Sequence, residues 1–158
     1  MKDIIINTNS GGEFYAGMIK YSKKLLKSEN YNYYIDEMID IFASCKKFCP
    51  QFHISLQSGC DTVLKRMNRH YDSSEYKALT QKLRSAFSDT SITTDIITGF
   101  PGETEEEFAT TVEFAKNIRF EKVHVFPYSI REGTRAAKMD GHLPNAVKSQ
   151  RANTLSGV

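Results

Sequence analysis

Short β-branched runs alternate along this chain with longer stretches whose apolar residues recur at helical spacing, the pattern of a parallel α/β protein. Asp3 to Thr8 carries Ile4-Ile5-Ile6 and reads as a short buried strand, and Tyr15, Met18, Ile19, Leu25 and Leu26 follow at helical spacing. Ile35, Met38, Ile39 and Phe42 mark a second helix. Phe52 to Gln57 reads as a strand, with Val63, Leu64 and Met67 on a short helix behind it. Asp72 and Glu75 form a capping box for a helix whose apolar face is Tyr76, Leu79, Leu83 and Phe87. Ile92 to Thr98 is the next strand, and Thr104-Glu105-Glu106-Glu107 opens a helix with Phe108, Val112, Ala115 and Ile118 on one side. Lys122 to Phe126 is the last clear strand and Asn145 to Leu155 a closing helix. The later strands begin roughly 30 to 40 residues apart, the length of a βα unit. The predicted architecture is therefore part of a (β/α) barrel, with parallel strands and outer helices.

Alternation within the strands sharpens the picture. Phe52, Ile54 and Leu56 face one way, and His53, Ser55 and Gln57 the other. Thr93 and Asp95 share a face with Ile97, while His124 shares one with Phe126 and Tyr128, opposite Val123 and Val125. In a barrel under outer helices the polar set points inward, where a filled core would use Val, Ile and Leu, so the interior is predicted to hold something polar. An acid such as Asp95 in a buried strand needs a partner or a ligand. By itself it reads equally as a cap on neighbouring amides or as a ligand contact. Gln57-Ser58-Gly59 and Thr98-Gly99-Phe100-Pro101-Gly102 each end an apolar run in glycine and polar groups before a helix, as ligand sites at the carboxyl ends of parallel strands do. His53 and His124 read as histidines bonded inside the core and His70 and His142 as exposed, with none at metal-ligand spacing to another.

The 158 residues suffice for one domain with a real core, and a 40% hydrophobic and 25% charged composition is that of a soluble globular protein. A net charge of +2 is too small to argue for nucleic acid by itself. No apolar run approaches the roughly 20 residues of a membrane span and the N-terminus lacks a signal-peptide profile, so no membrane role is expected. Three cysteines, an odd count, predict reduced thiols and a cytoplasmic setting.

The runs His53-Ile54-Ser55-Leu56-Gln57-Ser58-Gly59-Cys60-Asp61, Leu64 to Tyr71, Thr94 to Thr104, and His124-Val125-Phe126-Pro127-Tyr128-Ser129 through Arg131-Glu132-Gly133-Thr134 closely resemble the radical S-adenosylmethionine (SAM) methylthiotransferases. The resemblance runs from about residue 31 to 155. It is strongest to the branch that thiomethylates N6-threonylcarbamoyladenosine beside the tRNA anticodon; neighbouring branches act on isopentenyladenosine in tRNA or on a ribosomal protein. It implies that Gln57, Arg69 and Asp95 contact SAM, the amide and carboxylate on ribose hydroxyls and the guanidinium on the methionine carboxylate. Ser58, in the same segment, is assigned to the cofactor with them, and Gly99, Phe100 and Pro101 would let backbone approach the adenine. Tyr128 would face the substrate, and Arg131 in the last loop the substrate or SAM. Gly11-Gly12-Glu13 matches a tripeptide that meets the SAM amino group in such barrels, and reads equally as a glycine turn with Glu13 as its charged tip.

The resemblance also implies a 4Fe–4S cluster in the full-length enzyme, held by a Cys-x3-Cys-x2-Cys loop after the first strand. Cys45, Cys49 and Cys60 do not have that spacing, so no metal ligand is assigned here. The expectation is a single incomplete barrel domain over residues 1–158, lacking the cluster loop, the first strand, the N-terminal domain and the C-terminal RNA-binding domain, with the third strand shortened or absent around residues 28 to 33. Two function classes follow. One is a fragment of a tRNA methylthiotransferase, active only within the complete protein; the other is a non-catalytic barrel remnant that keeps a SAM or nucleotide pocket. An open barrel also predicts self-association through its uncovered sheet.

Overall fold

A four-stranded sheet in the order β1-β2-β3-β4 lies at the centre of the computed structural model, which describes residues 4–6, 31–45 and 47–158. In chain order the elements are β1 (Ile4–Ile6), α1 (Tyr31–Ser44), β2 (Gln51–Ile54), α2 (Asp61–Arg66), α3 (Ser73–Ala86), β3 (Ser91–Thr98), α4 (Glu105–Ile118), β4 (Lys122–Pro127) and α5 (Asn145–Ser156), with a 3-10 turn at Ala136–Lys138. The strands β2, β3 and β4 are parallel, with Phe52 opposite Ile92 and Asp95 opposite His124. They form the α/β sheet expected from the sequence. The first strand departs from the parallel arrangement: β1 pairs antiparallel with β2, with Ile5 opposite His53. Three apolar residues at a sheet edge demand pairing but specify no direction, because either sense satisfies the backbone.

The core lies between the sheet and the helices. Phe52, Ile54, Leu56, Ile92 and Ile96 pack with Tyr76, Leu79 and Leu83 of α3, Phe108 and Ala115 of α4, and Leu155 of α5. Burying each such side chain is worth roughly 1.5–3 kcal/mol relative to leaving it in water. Ile35, Ile39 and Phe42 of α1 join the same cluster, and the Phe42 ring stacks on Phe48 at 4.7 Å. The helix starts are set locally. Asp72 accepts from the Glu75 amide at 2.8 Å while Glu75 accepts from the Asp72 amide, and Thr104 and Glu107 repeat the exchange at α4. Regular pairing of β2 stops at Ile54, short of the predicted end at Gln57. The Thr94 hydroxyl takes over there, donating to the Ile54 carbonyl at 2.7 Å and accepting from the Leu56 amide at 3.0 Å. The chain rejoins the sheet at Gln57, which bridges Ile96.

The helix read from Tyr15 to Leu26 and the Gly11-Gly12-Glu13 segment lie outside the described residues. Residues 31–33, part of the segment where the third strand is expected to be shortened or absent, open α1. Among the described residues no helix is long and apolar enough to cross a membrane.

Candidate functional site

The polar face of the sheet carries one connected cluster. Asp95 Oδ2 accepts from the Ser55 hydroxyl at 3.1 Å and lies 3.1 Å from His53 Nε2, while His53 Nδ1 lies 2.9 Å from the Thr93 hydroxyl. A carboxylate only accepts, so Nε2 carries the proton toward Asp95 and, in the neutral ring, Nδ1 accepts from Thr93. The His124 ring stands 5.9 Å from His53. The partners of Asp95 are thus side chains on its own face, and its side chain keeps 29% of its surface exposed. Phe126, on the same face, is 52% exposed. This face is the open interior of the partial barrel, and it is polar where a filled barrel would be aliphatic.

At the carboxyl end of β2, Gln57 sits at φ 71°, a left-handed conformation uncommon for a side-chain-bearing residue. Its amide donates to the Asp95 carbonyl at 2.8 Å and its carbonyl accepts from the Ile97 amide at 2.9 Å, so Gln57 and Asp95 are joined through the backbone. The Gln57 side chain makes no hydrogen bond among the described residues. The Tyr71 hydroxyl donates to the Leu56 carbonyl at 2.8 Å, which brings the loop bearing Arg69 against the same strand end. Arg69 Nε is buried without a hydrogen-bond partner. Ser58 is fully buried. Its hydroxyl lies 3.1 Å from that of Thr111 on α4 and accepts from the Cys60 amide, a role inside the protein.

At the end of β3 the chain turns through Gly99 at φ 70°, with Phe100 and Pro101 buried behind it. The Gly99 amide donates to Glu103 Oε2 at 2.7 Å, and Arg151 Nη1 donates to the same oxygen at 2.8 Å and to the Glu103 carbonyl at 3.0 Å. Burial pushes the Glu103 carboxyl up, and the Gly99 amide and Arg151 oppose that shift. A Cβ at Gly99 would stand 2.3 Å from Lys148 Cγ, so the stem of Lys148 occupies the space a side chain there would need. Lys148 Nζ donates to the Tyr128 carbonyl at 3.1 Å. The Tyr128 ring meets Phe100 edge-on at 5.3 Å and stacks on His142 at 5.9 Å. His142, expected to be exposed, is half-buried because of that stack, and both its ring nitrogens and the Tyr128 hydroxyl are buried without partners. Arg131 is exposed on the loop after β4.

The cysteines do not supply a metal centre. Cys45 and Cys49 are exposed before β2, whereas Cys60 is buried at the start of α2 with its Sγ 3.2 Å from the Thr62 hydroxyl. Among the described residues no group of three or more His, Cys, Asp or Glu side chains could hold a metal ion. An iron–sulfur cluster does not fit this set of donors. SAM finds donors and acceptors of the right chemistry in the unpaired Nε of Arg69 and the half-exposed carboxylate of Asp95, whereas the space beside Gly99 is filled by Lys148.

Glu103, Lys148 and Arg151 were not read from the sequence as site residues. Their signal was present, since Lys148 and Arg151 recur with Ala152 and Leu155 on one face of α5, where charge is unexpected.

Comparison with known proteins accords with this geometry. The sequence profile of the radical SAM superfamily matches residues 20–115. The chain is 47% identical over 120 residues to threonylcarbamoyladenosine tRNA methylthiotransferase MtaB of Thermotoga maritima, an alignment covering 76% of this chain and 28% of that protein. It is 48% identical over 122 residues to tRNA-2-methylthio-N(6)-dimethylallyladenosine synthase of Mycobacteroides abscessus, covering 77% of this chain and 24% of that one. The chain thus spans about a quarter of the length of these relatives. Among solved structures, coproporphyrinogen III oxidase (HemN) of Escherichia coli superposes with a TM-score of 0.58 at 24% identity, covering 75% of this chain and 27% of that one. Archaeal Elp3 of Methanocaldococcus infernus gives a TM-score of 0.51 at 20% identity, covering 69% and 24%. At these identities the structures speak to the fold alone.

Proposed function

The chain belongs to the radical SAM superfamily, and from that premise we propose that it is part of the catalytic domain of a methylthiotransferase acting on a modified adenosine of tRNA in the cytoplasm. The observation that carries the reading is the pairing of high identity to tRNA methylthiotransferases with a polar, open barrel face at the strand ends. The wording from His124 to Ser129 favours the threonylcarbamoyladenosine branch over the dimethylallyladenosine one.

Bound SAM would supply the radical chemistry. The residues of this chain hold and orient it. Asp95, fixed by His53 and Ser55, accepts from the ribose hydroxyls, with Gln57 beside it at the strand end. Arg69 brings its unpaired guanidinium nitrogen to the methionine carboxylate. Gly99, Phe100 and Pro101 bring backbone and an apolar wall to the adenine, and Tyr128 and Arg131 face the incoming base. Glu13 is proposed for the SAM amino group. The cluster, whose ligands this chain does not contain, belongs to the remainder of the complete enzyme.

The test is mass spectrometry of tRNA nucleosides from cells with and without the gene. Loss of the 2-methylthio form of threonylcarbamoyladenosine is expected. Loss of the dimethylallyl form instead would move the substrate to the other branch, and an unchanged nucleoside profile would remove the reading.

A further inference from the structure

Lys148 and Arg151 make none of the cofactor or substrate contacts proposed above, yet only 7% and 5% of their surface is exposed. Two buried cations on one helix face are costly unless they are paired, so what they hold is informative. Arg151 spans two acids: Nη1 holds Glu103 at 2.8 Å and Nη2 holds Glu105 at 2.8 Å. Glu103 is itself 3% exposed, and the oxygen that Arg151 holds is the one accepting from the Gly99 amide. Glu103 also closes its own turn, its amide donating to the Phe100 carbonyl at 2.9 Å. The loop from Gly99 to Glu103 is therefore wound around one carboxyl group, and that group is held from α5 by Arg151. Lys148 adds a second tie, its stem filling the space over Gly99 and its ammonium held by the Tyr128 carbonyl.

Resting on the SAM reading of that loop, we infer that Arg151 is a positioning residue, which holds Glu103 in place as the acceptor for the Gly99 amide and so fixes the backbone of residues 99–102 against the cofactor. Lys148 couples the same loop to Tyr128 at the end of β4. The cofactor-facing and substrate-facing loops thus share one support, α5. Arg151 touches neither ligand and acts only through Glu103.

Amide hydrogen exchange on the 158-residue chain tests this without depending on the ligand. In Arg151→Gln the Gly99 amide should exchange about tenfold faster or more, because its acceptor is no longer held. The Ile97 amide, bonded to Gln57, should be unchanged. Glu103→Gln, which keeps the shape of the acceptor but removes its charge, should produce the same local loosening and serves if Arg151→Gln does not fold. Where the wild-type chain binds S-adenosylhomocysteine, both variants should lower the melting temperature, as loss of a buried pair does, and in addition weaken binding by the folded chain about tenfold, whereas a purely structural contact would lower the melting temperature alone. A folded Arg151→Gln or Glu103→Gln with wild-type exchange at Gly99 overturns the inference. Absence of binding by the wild-type chain, with the exchange effect present, would remove the SAM reading and leave the loop support standing.

Discussion

The two faces of β3 are built by opposite rules. On the outer face Ile92, Thr94, Ile96 and Thr98 are all buried beneath helices, and the hydroxyl of Thr94 is spent on the backbone of Ile54 and Leu56. On the inner face Asp95 and Ile97 are only half-buried, and the polar groups bond to one another, as Asp95 does with His53 and Ser55. One face spends its chemistry on stability and the other leaves a carboxylate partly exposed. A single strand can do both because successive side chains point to opposite sides.

The comparison breaks most easily through stability. Ile96→Ala on the outer face should cost about 2–5 kcal/mol in urea unfolding, the range for a buried aliphatic truncation, whereas Asp95→Ala on the inner face should cost less than about 1 kcal/mol. Equal costs would mean that the inner face is also core. The rim between the loop region and the helices should respond to acid. Arg66 holds the Glu107 carboxyl down to about 2, with help from the Thr62 hydroxyl and the Thr104 amide. A depressed carboxylate contributes stability that is present above its ordinary range and is lost as pH falls toward its folded value. The melting temperature should therefore fall between about pH 5 and pH 2, and Arg66→Met should remove most of that dependence. Thr104→Ala, which deletes one half of a capping box, should cost about 1 kcal/mol and leave the inner face unchanged. The open inner face should also promote association: sedimentation should show a concentration-dependent dimer that Phe126→Ser weakens, and an ideal monomer at all concentrations would show that the face needs no cover.

What was legible in the sequence was local. The capping boxes at Asp72 and Thr104 are three-residue signals, and both formed. Alternation alone put His53, Ser55, Thr93 and Asp95 on one face, and their hydrogen bonds confirm it. What was hidden depends on distant partners. The direction of β1 is set by pairing with a strand some fifty positions away, and three isoleucines carry no information about it. Thr94 reads as an ordinary β-branched residue until Ile54 and Leu56 need its hydroxyl. The Glu103–Arg151 pair joins positions 48 apart, so neither residue alone signals the other. The same holds for His142, whose stacking on Tyr128 turns a histidine read as exposed into a half-buried one.

The central claim, that the inner face and the adjoining strand ends hold SAM, is tested most directly by calorimetry of S-adenosylhomocysteine with the chain and with Asp95→Ala. Weak binding by the parent chain is expected, and Asp95→Ala should lose about 1–3 kcal/mol of it, the cost of a lost hydrogen bond to a charged group. An affinity unchanged in Asp95→Ala would contradict the assignment and leave this face with only its fold.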